Sequence, residues 1–145
     1  MTTNTGRALA GGLVGTLLMT GMMYGVAPMM GVHMDIAAML GSMLGGSWTA
    51  GLVMHLMIGT AVFPLAFALA LQPRLPGPAA VRGLVFGLGL WLMAQVVVMP
   101  MMGAGVFSAN AGGLMAAMGS LVGHVVYGVT LGTFVGAACP VPAHA

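Results

Sequence analysis

Residues 48–71, Trp48-Thr49-Ala50-Gly51-Leu52-Val53-Met54-His55-Leu56-Met57-Ile58-Gly59-Thr60-Ala61-Val62-Phe63-Pro64-Leu65-Ala66-Phe67-Ala68-Leu69-Ala70-Leu71, run without a charged side chain into Gln72-Pro73-Arg74-Leu75-Pro76-Gly77-Pro78. An apolar run of about 20 residues is what a helix needs to cross the hydrocarbon core of a bilayer. The proline- and glycine-rich stretch behind it ends that helix and starts a turn.

Working outward, three further runs of the same kind occupy residues 8–30, 80–102 and 114–137. Pro28 and Pro100 sit near the exits of the first and third, and Pro140 and Pro142 close the fourth. The first run is too long for the apolar region of a cleavable signal, about 7–15 residues, and reads as a retained span. The chain is therefore expected to be all-α, a single transmembrane domain over residues 1–145, with a proline-rich connection at 72–79.

Composition agrees. Hydrophobic residues make up 60% of the chain and charged residues 3%, against about 25% charged in a soluble domain. Arg7, Asp35, Arg74 and Arg82 cannot keep a globular surface wet, so lipid is the expected solvent. The net charge of +2 is too small and too scattered for a nucleic-acid partner, which would need clustered cations. A single cysteine, Cys139, excludes an internal disulfide and any all-cysteine metal site.

Arg7, Arg74 and Arg82 all fall on the side that carries the N-terminus, the 72–79 connection and the C-terminus. The positive-inside rule places that side in the cytoplasm of a bacterial inner membrane. The opposite connections carry no Lys or Arg.

Short echoes point to one two-helix unit used in tandem. Pro28-Met29-Met30-Gly31 returns as Pro100-Met101-Met102-Gly103, and residues 37–45 are echoed by 116–123. His55 has Gly59 four residues on, and His124 has Gly128 four residues on. Two such units give a four-helix bundle with a pseudo-twofold axis along the membrane normal, so His55 and His124 are expected at equal depth, facing one another. Glycines spaced by four, at Gly21/Gly25, Gly83/Gly87, Gly119/Gly123 and Gly128/Gly132/Gly136, are expected to pack the helices.

An intramembrane imidazole is costly unless it finds a partner. Gly51 and Gly59 flank His55 at four residues on either side, and Ser120 and Gly128 flank His124. Each histidine thus rises from a narrow stripe of small residues on one helix face. That stripe suits a close helix crossing or a planar macrocycle, and two facing histidines can ligate a b-type haem axially. The alternative is a plain hydrogen bond to a neighbouring helix, with Tyr24, Gln95, Tyr127 or a backbone carbonyl as partner.

Of 17 methionines, all but Met1 lie in the outer halves of the spans or in the outer connections. The inner segments 8–18, 58–71, 80–92 and 125–137 contain none. Thioethers are soft ligands for Cu(I), and imidazole suits copper. Met29, Met30, Met34, Met101, Met102 and His33 form one candidate set; packing is the competing explanation for each methionine. Asp35, the only acidic residue, precedes Ile36-Ala37-Ala38-Met39-Leu40 and reads as the N-cap of a short outer helix. With one carboxylate, no nucleophile–base set and no phosphate loop, the chain is not expected to be an enzyme on its own.

Met34-Asp35-Ile36-Ala37-Ala38-Met39-Leu40-Gly41, Met54-His55-Leu56-Met57-Ile58-Gly59-Thr60 and Val98-Met99-Pro100-Met101-Met102-Gly103 resemble a family of small uncharacterised bacterial membrane proteins. The resemblance spans nearly the whole chain. It implies four spans and carries no activity.

Three functional readings follow. The first is a haem b protein serving as an electron-transfer or accessory subunit of a membrane redox complex. The second is a Cu(I)-handling membrane protein. The third is a cofactor-free structural subunit, joined to other membrane subunits or to copies of itself.

Overall fold

The computed structural model describes residues 5–136, which are mostly helical and contain no strand. Four helices are long and apolar enough to cross a membrane: α1 (Thr5–Met30), α3 (Trp48–Leu71), α4 (Ala79–Met101) and α5 (Gly113–Gly136). A short helix, α2 (Ile36–Ser42), lies in the connection between α1 and α3. Cys139, Pro140 and Pro142 fall outside the described residues. The chain is an all-α bundle, as its sequence predicts.

Three of the spanning helices are not uniform α-helices. Each π-helical turn among the described residues ends two residues before a proline: Met22–Val26 before Pro28, Ile58–Val62 before Pro64, Phe67–Leu71 before Pro73 and Ala94–Val98 before Pro100. The cause is local. A proline has no N–H for the carbonyl four residues back, and its ring collides with that carbonyl. Widening the turn lets the residue before each proline reach back five positions instead. Ala27 donates to the Met22 carbonyl, Phe63 to Ile58, Gln72 to Phe67 and Met99 to Ala94. The backbone stays paired where water is scarce. No proline lies within α5, and α5 has no π-turn.

Glycines set the helix spacing. A Cβ added to Gly83 or Gly87 of α4 would overlap the carbonyl oxygens of Gly128 or His124, and one added to Gly132 would overlap that of Ala79. On α1, Gly11 and Gly15 receive Phe134 and Tyr127 of α5, while Gly12 receives Pro64 of α3. The expected roles of Gly21, Gly25 and Gly119 are not realised, since nothing approaches them within 4 Å.

The two Pro-Met-Met-Gly motifs fold alike. Gly31 (φ +76°) and Gly103 (φ +79°) end their helices in the left-handed conformation that glycine adopts without strain. Gly31 donates to Pro28 at 3.0 Å and Val32 to Ala27 at 3.0 Å; Gly103 donates to Pro100 at 3.0 Å and Ala104 to Met99 at 2.9 Å. Beyond these caps the likeness fades. α1 packs along α5 through small residues, whereas α3 meets α4 through Phe63, Phe67 and Phe86, whose ring centroids lie 6.5 and 5.0 Å apart.

The arginines gather at one end. Arg7 donates to the Phe134 carbonyl at 2.7 Å, and Arg82 to that of Gln72 at 3.2 Å. A core of Ala8, Phe67, Ala68, Phe86, Tyr127, Leu131 and their neighbours closes this half of the bundle. In the other half the helices part.

Candidate functional site

The parted half encloses a cavity of about 450 Å³, within the size range of small-molecule sites. All four spanning helices and α2 contribute to its wall. Three of the π-turns face it, through Met22 and Met23 in α1, Ile58 and Gly59 in α3, and Ala94 and Val98 in α4.

Both intramembrane histidines line this one cavity. His124 is held from its own helix: its Nδ1 lies 2.8 Å from the Ser120 carbonyl oxygen. A carbonyl only accepts, so Nδ1 carries the proton and Nε2 keeps a free lone pair. Metal-ligating histidines are commonly prepared in this way. His55 is held differently, with Nε2 3.0 Å from the Thr20 hydroxyl oxygen of α1. The two imidazoles therefore share a cavity without sharing a hydrogen-bonding state.

None of the three side chains expected as histidine partners fills that role. Tyr24 donates to Asp35 at 2.6 Å, Gln95 accepts from Ser108 at 2.9 Å, and Tyr127 donates to the Gly59 carbonyl at 2.8 Å. Thr20 was not legible as a partner, because it lies on another helix and only the relative rotation of α1 and α3 brings it to His55.

The flanking small residues serve helix crossings. A Cβ on Gly51 would overlap the Ala37 carbonyl of α2, one on Gly59 would overlap Thr16 of α1, and one on Gly128 would overlap the Gly83 carbonyl of α4. Gly59 and Ser120 also border the cavity, but Gly51 and Gly128 do not. Gly51 and Gly128 are thus covered by neighbouring helices, while Gly59 and Ser120 keep the cavity side of each stripe open.

Nine methionines line the cavity. Met19, Met22 and Met23 come from α1, Met93 and Met99 from α4, and Met115 and Met118 from α5. Met30 and Met34 complete the set. Of the methionines and histidine singled out in the sequence, Met30 and Met34 reach the cavity, while Met29, Met101, Met102 and His33 are not part of its wall. The other seven were visible in the sequence only as the bias of methionine toward one half of each span. Met30, Met115 and Met118 remain 66%, 58% and 47% exposed, and Met93 and Val122 remain exposed farther along their helices, so the cavity is open on the methionine-bearing side of the bundle.

Among the described residues, no group of three or more His, Cys, Asp or Glu side chains could hold a metal ion. A metal here would depend on thioethers and the two imidazoles. Asp35 has another task. Its carboxylate accepts from Ala38 N–H at 2.9 Å, capping α2, and from Tyr24 and the Trp48 indole, joining α1 to α3. Partial burial pushes this carboxyl up, but the donors from Tyr24, Ala38, Trp48 and Ala37 together outweigh it and hold it below the ordinary carboxylate value.

Residues 2–145 match a family of unknown function. No curated protein and no solved structure matches the chain.

Proposed function

The chain belongs to that family, DUF6789, and since a family without an assigned activity supplies no chemistry, we propose from the cavity itself that the protein binds Cu(I) within the bilayer. The observation that carries this reading is the gathering of nine thioethers and two imidazoles around one cavity. Thioether and imidazole are the neutral donors that Cu(I) accepts readily, and a monovalent ion held by neutral soft ligands costs less to bury than a divalent one. His124 Nε2, with its lone pair free, is the first donor. His55 joins when its Nε2 leaves Thr20.

With the arginine-bearing end in the cytoplasm by the positive-inside rule, the cavity opens on the outer side of a bacterial inner membrane. The protein then handles Cu(I) there for other membrane or extracytoplasmic proteins, without catalysing a reaction itself.

The test is metal analysis of the purified protein after loading from a Cu(I) chelator under reducing conditions. Bound copper that falls at least tenfold in affinity in His124→Ala supports the reading. A folded protein that takes up no Cu(I) sinks it.

The size of the cavity and its two histidines favour a second reading, haem b held between His55 and His124. Its difficulty is electrostatic. Haem propionates need cationic or hydrogen-bonding partners, and all three arginines lie at the opposite end of the bundle. A Soret band in protein purified from haem-replete cells, lost in the His55→Ala/His124→Ala double variant, would decide for haem.

A further inference from the structure

Two methionines outside the cavity wall, Met29 and Met101, stand clear of the protein. Met29 is 86% exposed and Met101 66% exposed, so neither buries its thioether against the protein. Each is the first methionine of a Pro-Met-Met-Gly cap and lies next to cavity methionines along the chain: Met29 beside Met30, and Met101 two residues beyond Met99. Exposed apolar positions in the arginine-bearing half, such as Leu9, Leu13, Leu69, Val81 and Val85, are leucine or valine. If an exposed apolar side chain were all that is required, methionine would have no advantage over leucine at the other end either.

The far end of the cavity is shut. Phe67 and Leu131 are 0% exposed beneath it. Gly12 lies in contact with Pro64, and the Tyr127 hydroxyl is tied to the Gly59 carbonyl. Past this floor no described span carries a methionine or histidine between residues 58 and 71, 80 and 92, or 125 and 136. The only carboxylate, Asp35, stands at the open end and the three arginines stand at the closed one, a polarity that draws a cation to the mouth and repels it from the floor.

We infer that Cu(I) is exchanged at the methionine-bearing end alone, with Met29 and Met101 as surface donors that accept the ion from a soluble carrier and pass it inward, which makes the protein a blind-ended store rather than a route across the membrane. This rests on the Cu(I) reading above. The transfer is ligand exchange: a thioether of the chain joins the ion as a ligand of the carrier leaves, copper remains Cu(I), and no electron moves. Met29 or Met101 binds first; Met30 and Met99 follow, and His124 Nε2 retains the ion.

The full-length protein in lipid nanodiscs, mixed with a coloured Cu(I)–chelator complex, reports both rate and extent of transfer. Met29→Leu/Met101→Leu keeps the apolar volume and removes both thioethers. The expected result is a transfer rate at least tenfold slower with the final amount of bound Cu(I) unchanged. Equal rates in wild type and variant would overturn the relay while leaving the site intact. Absence of Cu(I) binding by wild type would overturn the site as well. In vesicles holding a chelator inside, wild-type protein is expected to add no copper flux over protein-free vesicles; flux above that level would overturn the blind end.

Discussion

Thr20 Oγ1 and His55 Nε2 lie 3.0 Å apart, joining α1 to α3 beside the cavity. The contact occupies the ring nitrogen that His55 would offer a metal, so bound Cu(I) must displace it. A hydrogen bond of this kind contributes about 1 kcal/mol, which corresponds to a factor of about five in affinity. Thr20→Val keeps the shape and removes the competitor. Its Cu(I) affinity, read by chelator competition, is expected to rise about fivefold; a fall would show that the hydroxyl positions His55 for binding instead.

Asp35 makes stability depend on acid. Its carboxyl is held below the ordinary value once the donors of Tyr24, Ala38, Trp48 and Ala37 offset the opposing effect of burial. A depressed carboxylate contributes stability that is present above its unfolded value of about 3.9 and is lost as pH falls through the lower folded value. Trp48 donates to this carboxylate at 3.0 Å, so its fluorescence should change in that acid window in a Trp91→Phe background. Asp35→Asn should abolish the transition. Asp35→Ala should cost about 0.5–2 kcal/mol through loss of the α2 cap.

Gln95 is fully buried, and its Nε2 has no hydrogen-bond partner. Its Oε1 depends on Ser108, which adopts a left-handed φ of +56° directly after Phe107 at +50°. Ser108→Ala would strand both ends of the amide, with an expected loss of about 1–3 kcal/mol. Adding Gln95→Leu removes the stranded group and should restore most of that loss. Thermal unfolding in detergent, arranged as a double-mutant cycle, measures it.

Gly83 and Gly128 bring the α4 and α5 backbones together closely enough that a Cβ on either would overlap the carbonyl oxygen of the other. Gly83→Ala should cost about 1–3 kcal/mol by overpacking. Gly21→Ala on α1, where nothing lies within 4 Å, should be neutral or slightly stabilising. Similar losses at both positions in the same unfolding assay would contradict the assignment of which glycines pack.

The number of spans, their length and the retreat of methionine from one half of each were all determined by the sequence, because hydrophobic length and composition act locally and need no partner. The N-cap at Asp35 and the glycine ends of both Pro-Met-Met-Gly motifs are local for the same reason. Which side chains meet was decided by the tertiary structure. Every π-turn changes the angular relation between residues before and after it, so a 3.6-residue period carried through Pro28, Pro64 or Pro100 misplaces the faces it is meant to align. The rotation and spacing of helices, set by Gly12, Gly59, Gly83 and Gly128 against their neighbours, then brought Thr20 to His55, assigned Gly51 to α2 and gathered methionines of α1, α4 and α5 around one cavity. Those contacts join residues far apart in the chain, and no spacing along it encodes them.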